Sequence, residues 1–144
     1  IRQQAAEKNL DPALIAGVIY AESKFRDATS SAGALGLMQI TPDTAEYIAQ
    51  LSGGTHFKVA DLSTPQVNIS YGSFYLRWLM DKYEGNLVYA LAGYNAGIGN
   101  VDQWIAEGRD RVSEFPFAET REYVKRVIDA RGAYRREYAA ELGL

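Results

Sequence analysis

The 144-residue sequence contains no cysteine. Disulfide bonds and metal sites built on thiolate ligands are therefore excluded, while the cellular compartment stays undecided. Histidine occurs once, as His56. A lone histidine with no second histidine or carboxylate at ligand spacing is more often a surface residue than a metal ligand. We therefore predict no metal site and no cofactor.

Long apolar runs and blocks of like charge are also lacking. The longest apolar run, Ala13 to Ala21, falls far short of the ~20 residues that a membrane-spanning helix needs. The net charge is −3, so the sequence lacks the basic footprint of a nucleic-acid-binding protein. The acidity also argues against electrostatic steering toward an anionic polymer. Recognition of such a polymer would have to come from contacts within a groove.

Strand patterns are missing as well, because no segment of normal strand length alternates between apolar and polar residues. Helical periodicity instead predicts helices over residues 1–8, 12–23, 43–51, 65–83, 87–94, 99–107 and 119–138. Asp11, Thr41 and Asn86 are candidate N-caps, and Pro12 and Pro42 suit the first helical position. We predict an all-α fold with a very short β tongue near residues 30–40.

The chain length suits one domain spanning residues 1–144, which would bury ~68–70% of its unfolded surface. A hydrophobic content of 47% and a charged content of 23% are ordinary for a globular protein. Since Ile1 enters directly into a helix-like segment, we expect an excised domain or a mature protein rather than a natural start.

The end of the second helix holds the first candidate for chemistry. The apolar stripe that includes Ile15 and Ile19 extends by one turn to Glu22. Burial raises the pKa of a carboxyl group, and the negative pole of the helix dipole acts in the same direction. Both effects suit a general acid working near neutral pH. The alternative is a helix-end carboxylate that escapes to solvent or pairs with a basic residue.

Most glycosidases place two carboxylates across the scissile bond, whereas this sequence offers one well-placed carboxylate. The nearest others are Asp27, in an open polar loop, and Asp43, in the first turn of a helix. A carboxylate in a first turn commonly interacts with the helix dipole. A single-acid enzyme needs its second group from elsewhere, and substrate assistance is one documented route.

Three ordered blocks of residues give a more specific signal. They are Ala21-Glu22-Ser23 with Ser30-x-x-Gly33-Ala34-x-Gly36-Leu37-Met38-Gln39 and Thr41-Pro42-x-Thr44-Ala45; then Ala92-Gly93-Tyr94-Asn95-Ala96-Gly97; then Phe117-Ala118-Glu119-Thr120-Arg121-x-Tyr123-Val124. Through these blocks, residues 9–131 resemble the lytic transglycosylases, which belong with the goose-type lysozymes in the wider lysozyme superfamily. The resemblance implies a lysozyme-like helical domain.

The resemblance also implies a reaction. In this family a glutamic acid protonates the glycosidic oxygen between N-acetylmuramic acid and N-acetylglucosamine in peptidoglycan. The N-acetyl carbonyl of the substrate is thought to stabilise the cationic C1. The same glutamate then acts as a base while the C6 hydroxyl attacks C1, which closes a 1,6-anhydro ring without consuming water. The implied substrate is the peptidoglycan strand, the implied location is extracytoplasmic, and we expect a monomer.

Carried over residue by residue, the resemblance assigns Glu22 as acid and then base. The positions implied to contact or surround the sugar are Ser30, Met38, Gln39, Tyr94, Asn95, Glu119 and Tyr123. Gln39 is expected to bond an acetamido group, and Tyr94 to lie close to the catalytic glutamate. On the alternative interpretation Met38 belongs to the core, Asn95 stabilises a turn and Glu119 is a first-turn carboxylate.

Two other functions compete with the transglycosylase. A hydrolysing muramidase of the goose-lysozyme type would share the acid but need a positioned water, usually held by an aspartate. Asp27, Asp43 and Asp102 are the candidates for that role. A non-catalytic wall-binding module on the same scaffold would be expected to lose the acid, and this chain keeps it.

Overall fold

The computed structural model describes residues 1–53 and 59–144, without the side chains of residues 59 and 60. His56 lies outside the described residues, as does the 54–58 part of the connector that we predicted around it. The described part of the chain forms eight α-helices and no named strand, which confirms the all-α fold. The helices are α1 (Arg2–Lys8), α2 (Pro12–Ser23), α3 (Pro42–Ser52), α4 (Pro65–Lys82), α5 (Leu87–Ala96), α6 (Ile98–Ala106), α7 (Ala118–Glu137) and α8 (Ala139–Leu142).

The predicted caps form in the structure. The Asp11 carboxylate accepts a hydrogen bond of 2.9 Å from the backbone N–H two residues later. The Thr41 hydroxyl and the Asn86 side chain each accept one from the N–H three residues later, at 3.3 and 3.1 Å. These bonds satisfy helix-terminal donors that have no partner inside the helix. Local sequence signals therefore place the starts of α2, α3 and α5 correctly.

Helix α2 is the centre of the core, and its residues from Ala13 to Ile19 are all buried. It packs along α7, while α5 packs against both α4 and α7. Gly17 permits the close approach of α7, because an added Cβ would lie 3.0 Å from the Val127 carbonyl oxygen. A helix that is apolar all round has to be buried on every side. Pro12 at the start of α2 and the last turn, residues 20–23, lie outside this buried segment.

The loop between α2 and α3 contains the short β tongue that the sequence predicted. It consists of two isolated antiparallel bridges, Thr29 with Leu35 and Leu35 with Ile40. The fully buried Asn68 of α4 fixes this loop. Its side-chain oxygen accepts from the Met38 N–H at 2.8 Å, and its amide donates to the carbonyls of Leu35 and Leu62 at 2.8 and 3.0 Å. One side chain therefore ties the tongue to α4.

The buried faces of two helices do not simply follow their apolar residues. In α4 the buried face includes the polar or small residues Asn68, Gly72 and Ser73, while the large apolar Trp78 is only half-buried. In α7, the apolar Ile128 is 37% exposed. Which residues of these two helices are buried depends on contacts with other helices. The periodicity of a single helix carries no information about those contacts.

No helix in residues 1–53 or 59–144 is both long enough and apolar enough to cross a membrane.

The role of Asn68 can be tested by truncation. Asn68→Ala removes the hydrogen bonds of the Met38 N–H and the Leu62 carbonyl, and a buried group left without a partner costs about 1–3 kcal/mol. It also removes a bond to the Leu35 carbonyl, which still accepts from the Ile40 N–H at 3.0 Å. Because the loop can relax in part, we expect the free energy of unfolding to fall by about 3 kcal/mol in urea denaturation. Asn100→Ala is the matched control, since among the described residues that amide makes one hydrogen bond, to the Ala96 carbonyl at the end of α5, four residues earlier. Equal losses for the two variants would contradict the role of Asn68.

Candidate active site

Glu22 is the penultimate residue of α2 and faces a cavity of about 460 Å³. The helix ends because Lys24 adopts a left-handed conformation, with φ 52°. The Tyr123 hydroxyl of α7 donates a weak hydrogen bond to Glu22 Oε2 at 3.4 Å, longer than the roughly 2.5–3.0 Å usual between two oxygens. Glu22 therefore lies at the meeting point of α2, α7 and the cavity.

The electrostatics of Glu22 suit a proton donor. Burial raises the pKa of its carboxyl to about 8, and the negative charge of Glu119 acts in the same direction. The hydrogen bond from Tyr123 and the positive charge of Arg126 oppose that rise. Because the desolvation cost exceeds both opposing effects, Glu22 holds its proton at neutral pH.

Two tyrosines flank this carboxyl. The Tyr94 hydroxyl, from α5, donates to the Met38 carbonyl at 2.8 Å, which joins α5 to the tongue. Burial, together with the negative charge of Glu22, raises the pKa of both Tyr94 and Tyr123 well above the usual value. Both phenols are therefore neutral in the physiological pH range and act as hydrogen-bond donors.

The remaining cavity wall comes from the tongue, α5 and α7. Asn95 lines the cavity, and its side-chain oxygen accepts from the buried Thr120 hydroxyl at 2.8 Å. Glu119 lines it too, with its side chain exposed. The Ser30 oxygen accepts from the Ala34 N–H at 3.0 Å. In the described part of the chain the proton of that hydroxyl has no acceptor, so it remains available to a ligand.

Two residues of the tongue differ from the sequence-based expectation. Met38, expected in the groove, is 0% exposed, and its sulfur would overlap a Cβ added at Gly72. It contributes to the site through its backbone, whose carbonyl holds Tyr94. Gln39 does line the cavity, but its amide nitrogen donates to the carbonyls of Ala28 and Gly36 at 2.8 and 2.9 Å. Only its side-chain oxygen is left for an acetamido group.

The aspartates considered as water-holding partners do not line this cavity. Asp102 accepts from the Tyr83 hydroxyl at 3.0 Å and forms an ion pair with Lys82 at 3.1 Å. Asp27 and Asp43 are exposed and are not among the residues of the cavity wall. The second carboxylate on the wall is Glu119, which the sequence had suggested as a sugar contact.

Thr44 and Tyr75 also line the cavity, although neither was assigned to the site from the sequence. Tyr75 is 7% exposed and its ring stacks on Trp78 at 6.0 Å between centroids. Most of the ring therefore belongs to the core. The edge of the ring that lines the cavity is exposed because of the way α4 packs against α5. The periodicity of α4 alone does not predict that exposure.

A further open cavity of about 430 Å³ lies against Tyr20 and Tyr134. Its carboxylates, Asp129 and Glu137, are exposed to solvent, so they lack the burial that makes a carboxyl a proton donor at neutral pH.

Within the described ranges, 1–53 and 59–144, there is no group of three or more His, Cys, Asp or Glu residues that could hold a metal ion. The acid chemistry of the described chain is therefore centred on Glu22.

Comparison with known proteins identifies the family of this chain. Residues 1–114 match the family model described as "Transglycosylase SLT domain". The soluble lytic murein transglycosylase of Salmonella typhimurium is 36% identical over 119 residues, which cover 78% of this chain and 18% of that protein. Membrane-bound lytic murein transglycosylase F of Haemophilus influenzae is 36% identical over 99 residues, covering 64% of this chain and 19% of that protein. The chain thus spans about a fifth of the length of these relatives.

Two solved structures share the fold. An inactive Glu-to-Gln mutant of the lytic transglycosylase Slt from Pseudomonas aeruginosa is 34% identical, with a TM-score of 0.86 over 96% of this chain and 24% of that chain. The 70 kDa soluble lytic transglycosylase of Escherichia coli is 31% identical, with a TM-score of 0.85 over 94% of this chain and 23% of that chain. The chain therefore belongs to the transglycosylase SLT domain family.

Proposed function

We propose that residues 1–144 are a single catalytic domain that cleaves the β-1,4 bond between N-acetylmuramic acid and N-acetylglucosamine in peptidoglycan without consuming water. The observation that carries this proposal is the Glu22 carboxyl, protonated at neutral pH by burial and facing a cavity of about 460 Å³. The family membership of the chain supports the choice of substrate. We place the domain outside the cytoplasm, as a monomer.

In the first step, the proton of Glu22 passes to the glycosidic oxygen as the bond from that oxygen to C1 breaks. The N-acetylglucosamine side leaves with a free hydroxyl, and the N-acetyl carbonyl oxygen of the muramoyl sugar bonds to C1 and takes up the positive charge. Glu22 is now a carboxylate. Its negative charge next to the cationic sugar is favourable, because charges interact strongly where water is excluded.

In the second step, Glu22 acts as the base. It takes the proton of the C6 hydroxyl as that oxygen attacks C1 and displaces the N-acetyl oxygen, which closes the 1,6-anhydro ring. Glu22 is thereby protonated again and ready for the next strand. One half-buried carboxyl with a pKa of about 8 can perform both transfers, so the scheme needs no second carboxylate at bonding distance.

The flanking residues support these two states of Glu22. The Tyr123 hydroxyl donates to Oε2 and so steadies the carboxylate between the two steps. Tyr94 holds the tongue through the Met38 carbonyl, which positions the wall that includes Ser30 and Gln39. We assign Ser30, Gln39, Asn95 and Glu119 as sugar-contacting residues because all four line the cavity with Glu22.

A hydrolytic muramidase is the second candidate, and Glu119 is the observation that favours it. It is a second carboxylate on the cavity wall, and inverting glycosidases use such a group to activate water. Against it, the exposed position of Glu119 leaves its water loosely held, whereas the substrate carries its own nucleophile at C6.

Replacing the acid tests the assignment of Glu22. Glu22→Gln keeps the shape of the side chain but removes the transferable proton. Because general acid–base catalysis contributes about 10²–10⁴-fold, and Glu22 acts in both steps, we expect turnover to fall by at least about 10³-fold. The measurement is the release of soluble fragments from purified peptidoglycan, with circular dichroism to verify folding. A folded variant that retains more than a tenth of the activity would remove Glu22 from its catalytic role.

The pH profile tests the electrostatics. The free enzyme must hold the Glu22 proton to begin the reaction, so kcat/KM should fall tenfold per pH unit above about pH 8. Glu119→Gln removes a negative charge that raises this pKa, so the midpoint should move to lower pH whatever happens to the absolute rate. A midpoint near the ordinary glutamate value of 4.5 in the wild type would contradict the burial argument.

The raised pKa also has a consequence for stability. Between the unfolded value of 4.5 and the folded value of about 8, the folded protein binds more protons, so the stability of the wild type falls as pH rises. Glutamine does not ionise and avoids this loss. We expect Glu22→Gln to be more stable than the wild type by about 2–4 kcal/mol at pH 8 and by less than about 1 kcal/mol at pH 5.

Urea denaturation at the two pH values measures this difference. Glu141→Gln, on the exposed α8, controls for the loss of one negative charge from the protein. The same stabilisation by Glu22→Gln at both pH values would show that the carboxyl ionises equally in the folded and unfolded chain.

A further inference from the structure

Glu22 borders two cavities whose charges differ. Among the described residues that line the cavity already discussed, Glu119 is the second charged residue, and neither a lysine nor an arginine is present. The other, of about 360 Å³, lies beyond the C-terminal end of α2. Among its described lining residues Glu22 is the only carboxylate, while Lys24 and Arg26 bring two positive charges. We refer to this second cavity, lined by Glu22, Lys24, Arg26, Thr29, Ser30 and Gln39, as the basic recess.

The turn that carries these cations is held in place. Lys24 and Phe25 both have left-handed backbones, with φ 52° and 62°, and such residues persist only where surrounding contacts fix them. The Phe25 ring packs against Tyr134 with centroids 6.0 Å apart. The Ser23 hydroxyl donates to the Leu37 carbonyl at 2.7 Å. The two cations therefore emerge from an anchored turn at the edge of the recess.

No side chain in the described part of the protein neutralises either cation. In residues 1–53 and 59–144, the side chains of Lys24 and Arg26 make no hydrogen bond and no ion pair. Asp27 follows Arg26 in the chain but does not line the recess. In a protein of net charge −3, two unpaired cations beside the proton donor form a local field of the opposite sign, which favours an anionic group there.

We propose that the basic recess binds a carboxylate of the glycan substrate, through Lys24 and Arg26, next to the sugar on which Glu22 acts. This inference rests on the proposed function. N-acetylglucosamine carries no carboxylate, so the recess distinguishes peptidoglycan from an uncharged polymer of the same linkage. In a peptide-free strand the carboxylate is that of the lactyl group. In a peptide-bearing strand the lactyl group is held in an amide bond, and the carboxylates belong to the peptide.

The test measures binding without turnover. Calorimetry on Glu22→Gln protein compares soluble peptidoglycan fragments with the same fragments after their carboxylates have been converted to methylamides. Adding Lys24→Gln and Arg26→Gln should weaken binding of the charged fragments by about three- to tenfold, because exposed ion pairs are modest. The methylamide fragments should bind both proteins equally. Added salt should reduce the difference.

A matched control removes the same charge elsewhere. Lys125 and Arg111 are exposed and line neither cavity, so Lys125→Gln with Arg111→Gln changes the net charge equally. In the Glu22→Gln background this pair should leave the affinity for charged fragments within about twofold of the parent. An equal loss of affinity in the control would show that the effect comes from the overall charge of the protein, and would contradict the recess proposal.

The remaining outcomes separate the two proposals. Peptide-free and peptide-bearing fragments identify whether the lactyl or the peptide carboxylate is bound. If Lys24→Gln with Arg26→Gln changes nothing, or weakens the methylamide fragments equally, the recess proposal is wrong while the proposed function stands. If Glu22→Gln protein binds no glycan fragment of any kind, the proposed function itself fails and the recess proposal falls with it.

Discussion

The desolvation of one carboxyl group is the constraint on which the rest of this structure depends. A glutamate in water would be ionised at neutral pH and unable to donate a proton. Glu22 retains its proton because it lies in the last turn of α2, directly after the buried segment from Ala13 to Ile19, where its carboxyl is largely removed from water. The close contact of α7 at Gly17 and the tyrosines of α5 and α7 complete the enclosure.

The tongue is held by the same helices that enclose Glu22, and it forms part of the cavity wall. It has no regular strand to stabilise it in the described chain, so side chains from distant helices do so. Asn68 holds it from α4 and Tyr94 holds it from α5, both through the backbone of Met38. The loop that lines the substrate cavity is thus attached to the helices that bury the acid, which couples the position of Ser30 and Gln39 to that of Glu22.

Features determined by local sequence were predictable. Asp11 with Pro12, and Thr41 with Pro42, mark helix starts through hydrogen bonds that span two or three residues. The position of Glu22 at the end of an apolar helix is equally local. Features determined by contacts between helices were not: Met38 is buried against Gly72, and Ile128 faces solvent. The net charge of −3 likewise gave no indication that two cations, Lys24 and Arg26, lie close to Glu22.

The central claim is that the substrate's own C6 hydroxyl, and not water, attacks C1 beside Glu22. Mass spectrometry of the soluble fragments released from purified peptidoglycan tests it most directly. The account predicts fragments that end in 1,6-anhydro-N-acetylmuramic acid, each one water lighter than the corresponding product of hydrolysis. Reducing ends throughout would contradict it, and would identify the chain as a muramidase in which Glu119 is the first residue to examine as the holder of the attacking water.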